Sequence, residues 1–218
     1  MDMQEIISQT IEYVQDCLKD AEAGHDWFHI DRVYRNALYI NKIEKADALV
    51  VSLAALLHDI ADPKFHGGDE LLGPQLAANF LKSKKVDDSI IEHVVKIMQH
   101  MSFKNSFDEL NFTSPELKIV QDADRLDAIG AIGIARAFTY GGFKNRVLYD
   151  PAIKPELAHN KDSYKNTTAP TINHFYEKLL LLKDLMNTNT GKKLAQQRHD
   201  FMLGFLDQFY QEWNALET

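Results

Sequence analysis

The stretch from Ala54 to Asp62, "AALLHDIAD", decides how this chain is read, because an apolar helical run ends in two adjacent metal-binding side chains, His58 and Asp59. Leu49, Leu53, Leu56 and Leu57 recur at the spacing of a helix face, which predicts a helix over roughly Ala46 to Ile60 and carries the pair toward an interior. Pro63 and the Gly67-Gly68 pair then oppose helix continuation. His58 and Asp59 are therefore expected near a helix C-terminus, beside a loop able to cover a site. A neutral imidazole and a carboxylate suit a borderline divalent metal but fill only part of its coordination shell. The chain offers further ligands in His29, within "DWFHIDRV", and Asp124, within "QDADRLDAIGAIGIAR".

Working outward, apolar residues recur mostly at helical spacing and strand-like alternation is scarce, so the expected class is all-α. Ile6, Ile7, Ile11, Val14 and Leu18 form one stripe, and Ile30, Val33, Ala37 and Ile40 another. A helix is predicted from Val86 to Met101. After an irregular stretch, Ser114 stands at an N-cap position, with Pro115 first in the helix and Glu116 in its first turn. That helix would carry Asp124 deep inside it and run on into "AIGAIGIARAF", where Gly130 and Gly133 would admit another helix backbone closely. Tyr140 to Pro170 reads as a loop or lid. Two terminal helices, near Thr171 to Met186 and Gly191 to Trp213, complete the expectation. No repeat, low-complexity tract or domain boundary is evident, so residues 1–218 are expected to form a single domain.

The chain has 218 residues and 45% hydrophobic content, enough for one sizeable core. Its formal net charge of −8 disfavours general affinity for nucleic-acid polymer or anionic membrane, which makes free nucleotides better candidates. Cys17 is the only cysteine, so no intramolecular disulfide forms and a reducing compartment is expected. The start, "MDMQEIISQTIEYV", lacks the basic and unbroken apolar regions of a signal peptide, and no stretch is long and apolar enough to span a bilayer. A cytoplasmic location is the expectation.

The order of His29, His58-Asp59 and Asp124, with the flanks "GHDWFHIDRV", "LLHDIAD", "MSFKN", "IVQDADRLDAIGAIGIARAFTYGG" and "INHFYEKLLLLKDLMNT", resembles the HD-domain superfamily of metal-dependent phosphohydrolases. The likeness is strongest to the small bacterial YpgQ-like type, some members of which are nucleoside-triphosphate pyrophosphohydrolases. The resemblance implies a helical bundle of the HD type. It also implies one divalent transition metal held by His29, His58, Asp59 and Asp124. Manganese is favoured, while Fe, Co, Ni or Zn fit the same mixed nitrogen and oxygen donors. His29 matches the first histidine of the family's HxxRV string through Arg32 and Val33, whereas His25-Asp26 reads as an N-cap and helix start. Asp124 is the acidic residue before Arg125-Leu126. Asp127, a turn further on, is a candidate to contact the metal's surroundings or the substrate.

His93 and His100, two turns apart, would be ligands for a second ion or would simply border the cleft; one metal is the favoured count. Asp62, in the position that resembles the acidic residue after the His-Asp pair in other HD hydrolases, is the candidate general base, with a helix-capping role as the competing reading. Lys64 and Lys104, in the segments expected to flank the metal, are candidate phosphate-binding residues; Arg32, Arg125 and Arg136 are weaker ones. The residues alone are compatible with pyrophosphate release from a nucleoside triphosphate, with nucleoside monophosphate or phosphodiester cleavage, or with a nucleotide sensor that turns nothing over. An oxygenase with a diiron centre would need more histidine ligands. The resemblance favours the pyrophosphohydrolase. The oligomeric state is not legible.

Overall fold

A computed structural model describes residues 2–19, 26–61, 69, 71–101, 112–156 and 169–215. Among the described residues every regular element is helical and none is a strand, as the periodicity requires. Backbone contacts group the chain into two compact units, Met1–Asp124 and Arg125–Thr218.

The first unit is built on α3, Ala48–Leu57, whose residues from Val50 to Leu57 are all buried. A helix apolar on every side must be surrounded. Here α1 (Met3–Cys17), α2 (Trp27–Glu44) and α5 (Asp88–His100) pack against it, and α4 (Leu72–Ser83) packs on α5. The stripe Ile30, Val33, Ala37 and Ile40 is fully buried on α2. Each such side chain contributes on the order of 1.5–3 kcal/mol through its removal from water.

The corner between α2 and α3 is fixed by polar groups. Lys45 takes a left-handed conformation at φ 64°, and the Asn41 side chain both accepts from the Ala46 amide at 2.8 Å and donates to its carbonyl at 3.3 Å. Asp47 then caps α3 by accepting from the Leu49 and Val50 amides. The Asp47 amide in turn donates to Glu116 at the start of α6 (Pro115–Asp127). Ser114 caps α6 as expected, accepting from the Leu117 amide at 3.1 Å.

Two expectations for the downstream helices fail. The predicted single helix through "DADRLDAIGAIG" is broken: α6 ends at Asp127 and α7 runs Gly130–Phe143. Gly130 adopts φ +75°, a conformation L-residues avoid, and a Cβ there would lie 2.9 Å from Cγ of Arg198. A Cβ on Gly133 would collide with the Ala128 carbonyl oxygen. Gly130 opens α7 directly after the break and leaves room for the Arg198 stem of a later helix, while Gly133, inside α7, fits against the Ala128 carbonyl. Asp124 consequently lies in the last turn of α6, not deep inside a longer helix.

The second failure concerns Thr171 to Met186. It divides into a short α8 (Asn173–Glu177) and a 3-10 segment (Leu179–Leu185), separated by Lys178 at φ −145°, ψ −57°. Buried Leu179 and Leu182 are three apart, the repeat of a 3-10 turn. The long α9 (Asn189–Trp213) packs against α7 and the 3-10 segment, and its N-cap Thr188 accepts from the Gly191 amide. Tyr140 to Phe143, read from sequence as loop, belong to α7.

Candidate metal centre

His58 and Asp59 stand where α3 stops. Successive residues of a regular helix diverge by about 100°, too far for both side chains to face one point easily. The α-helix closes at Leu57 and positions 58 and 59 form a turn in which His58 keeps helical dihedrals, φ −57° and ψ −29°, so the two side chains meet in one region through their different reach. His58 uses Nδ1 on the carbonyl oxygen of Ala55 at 2.9 Å. A carbonyl oxygen only accepts, so Nδ1 carries the proton and the lone pair of the neutral ring sits on Nε2.

His29 is delivered by the first turn of α2, where Asp26 caps the helix by accepting from the His29 amide at 3.0 Å. The imidazole is 2% exposed, and its ring meets that of His58 edge-on with centroids 5.5 Å apart. Asp124 comes from the last turn of α6. Its Oδ1 lies 3.6 Å from His29 Nε2 and 3.9 Å from His58 Nε2. Ligand atoms of His29, His58 and Asp59 all lie within 4.8 Å of one another.

These spacings fit a metal ion. Bonds of about 2.0–2.2 Å to nitrogen and oxygen put two ligand atoms roughly 3–4 Å apart, depending on the angle between them. The separations of 3.6 and 3.9 Å fall in that range and exceed hydrogen-bond length. The Nδ1 contact to Ala55 has the form of the outer-sphere hydrogen bond that would hold a ligating histidine in the correct tautomer.

The remaining candidates separate into three groups. Asp62, Lys64 and Lys104 lie outside the described residues, as does His25. Asp127 is 1% exposed and pairs with Arg136 at 2.6 Å, so its carboxylate ties the end of α6 to α7, and Arg136 is engaged there. Arg125 donates to the Leu185 carbonyl at 2.6 Å. His93 Nε2 lies 3.0 Å from Ser114 Oγ and 3.4 Å from Glu116, at the N-terminus of α6. His100 contacts the Lys96 carbonyl of its own helix through Nδ1. Among the described residues, neither histidine joins a group of metal-ligand geometry.

Sequence reasoning missed Asn41, Asp47 and the contact of Asp47 with Glu116. They hold α2, α3 and α6 in register, and so the helices that carry the ligand candidates. Asp47 before an apolar run was a readable N-cap signal; the pairing with Glu116 had none.

A family model described as HD domain matches residues 27–129, the span that holds all four ligand candidates. The protein YpgQ of Bacillus subtilis is 40% identical over 207 residues, an alignment covering 94% of this chain and 93% of that one. The chain belongs to the HD-domain family. A crystal structure of an HD-superfamily hydrolase from Bacillus thuringiensis superposes with a TM-score of 0.79 at 43% identity, covering 98% of this chain and all of that one. The structure of Bacillus subtilis YpgQ in complex with ADP gives a TM-score of 0.77 at 37% identity, with 97% of each chain covered. This HD chain is accordingly a hydrolase with an all-helical fold. No described helix is long and apolar enough to cross a membrane.

Proposed function

We propose that this chain is a metal-dependent phosphohydrolase acting on nucleotides, and that it cleaves nucleoside triphosphates to monophosphate and pyrophosphate. The observation that supports the reading is the grouping of His29, His58 and Asp59, with Asp124 Oδ1 3.6 Å from His29 Nε2 and 3.9 Å from His58 Nε2. A divalent cation held there would lower the pKa of a bound water and offset phosphate charge, the two requirements of phosphoryl hydrolysis near neutral pH.

The chain's own groups supply the rest. The Ala55 contact presents His58 with its Nε2 lone pair toward the site. Asp62, three residues beyond Asp59, is the group we assign to take the proton from attacking water. Lys64 and Lys104 are assigned to the phosphate tail, each as a point charge. The ADP complex of the Bacillus subtilis relative supports a nucleotide as ligand. Manganese remains the favoured ion.

Metal-supplemented protein incubated with deoxynucleoside triphosphates tests the assignment. Monophosphate and pyrophosphate should appear together, with no diphosphate intermediate. Accumulation of diphosphate and orthophosphate, or activity confined to monophosphates, would overturn it.

A further inference from the structure

Asp124 reaches His29 and His58 only if α6 is held in the right place along its own axis. Ile119, Val120 and Ala123 of α6 are fully buried. Apolar burial is non-directional, so it keeps a helix on the core without fixing its axial position. A ligand has to be placed within about 0.5 Å, which calls for directional contacts.

Three such contacts reach α6 from the helices around it. Glu116, in its first turn, accepts from the Asp47 amide at 3.1 Å. Gln121 donates through Nε2 to the His100 carbonyl at 2.9 Å, and Asn36 of α2 donates through Nδ2 to the Ala123 carbonyl at 3.5 Å. His100 ends α5, where carbonyl groups lack partners within the helix, so the Gln121 amide supplies the missing donor.

Of the three, Gln121 combines a short bond with proximity to the ligand. It precedes Asp124 by three residues and therefore lies on the same face of α6, one turn away. Both are half-buried, whereas Asp122 and Ala123 between them are fully buried. Asn36 stands two turns along α2 from His29, on the same face, so α2 meets α6 at Asp124 and again at Ala123. At 3.5 Å that second bond is the longer and weaker support.

We propose that Gln121 is a positioning residue: by fastening α6 to the end of α5 it sets Asp124 opposite His29 and His58, and with it the affinity of the site for a divalent ion. The inference rests on Asp124 being a ligand, as in the function proposed above.

Calorimetric titration of the chelator-treated full chain with manganese is the test. Gln121→Met removes the donor at nearly constant length. Gln121→Glu keeps the shape and adds a negative charge that by itself would attract a cation. Both should bind manganese at least tenfold more weakly, within the roughly 10–100-fold typical of lost support around a metal ligand. Ser114→Ala is the control for plain loss of stability, since it removes the cap of the same helix; it should lower the melting temperature and leave the manganese affinity unchanged. Asn36→Ala, which cuts the other bond near Asp124, is read in the same way should neither Gln121 variant fold. Unchanged affinity in both Gln121 variants, tighter binding by Gln121→Glu, or an equal loss in Ser114→Ala would overturn the proposal. Triphosphate hydrolysis measured in parallel separates the two readings. Weakened manganese binding in the variants of a parent that hydrolyses nothing overturns only the phosphohydrolase. Hydrolysis with equal manganese affinities overturns only the role of Gln121, and a parent that binds no manganese overturns the ligand set on which both rest.

Discussion

His58 hydrogen-bonds the carbonyl oxygen of Ala55, three residues back along α3, through Nδ1 at 2.9 Å. That carbonyl belongs to the last turn of the helix, where backbone acceptors lack intrahelical partners. One bond therefore satisfies a helix end and fixes a tautomer. The result is a lone pair on Nε2 in the company of His29 and Asp124.

Replacing His58 by alanine or Asp59 by asparagine should remove bound metal and hydrolysis together while leaving the helical circular dichroism unchanged. Elemental analysis of the purified variants, set against one ion per chain in the parent, is the measurement. Retention of both metal and turnover in folded variants would refute the ligand assignment.

Asp62→Asn should behave differently. If Asp62 takes the proton from water, its amide keeps the metal in place but slows hydrolysis by a factor on the order of 10² or more. Metal content and turnover number, measured on the same preparation, test for that separation. Unchanged turnover would return Asp62 to a capping role before Pro63.

The helices and the grouping of His58 and Asp59 with His29 were legible for a physical reason: burial of one face leaves a periodic trace, and His58-Asp59 interrupts an apolar run in which charge is costly. The stripe on α2 and the cap at Ser114 came through for the same local reasons. The end of α6 did not. Gly130 and Gly133 read as small residues on a continuous helix, and the Arg198 stem that crowds Gly130 arrives from far along the chain. Nor did the run "KLLLLKDL" disclose its 3-10 winding, since leucine favours either winding and the spacing of buried Leu179 and Leu182 is set by what they pack on.

Gly130→Ala should destabilise the protein by about 1–3 kcal/mol, the range for an L-residue forced into a sparsely populated conformation. The methyl group would also press on Cγ of Arg198, whose guanidinium donates to the Leu126 carbonyl at the end of α6. For a chain of this size each kcal/mol lowers the melting temperature by roughly 2–4 °C, so calorimetry resolves the effect. An unchanged melting temperature would mean that the turn relaxes without cost.

Acid stability depends on His174 in α8. Burial, reinforced by the positive charges of Lys178 and Arg146, pushes its imidazole down from 6.5 to about 4. The folded state therefore keeps this ring neutral where the unfolded chain protonates it. Between those two values the unfolded state binds more protons, so this contribution to stability is intact above pH 6.5, falls as the pH drops and is fully lost below about 4. His174→Gln removes the titration, and urea unfolding across this window should show a shallower loss of stability in the variant than in the parent. Parallel curves for the two proteins would show that His174 titrates alike in the folded and unfolded chain.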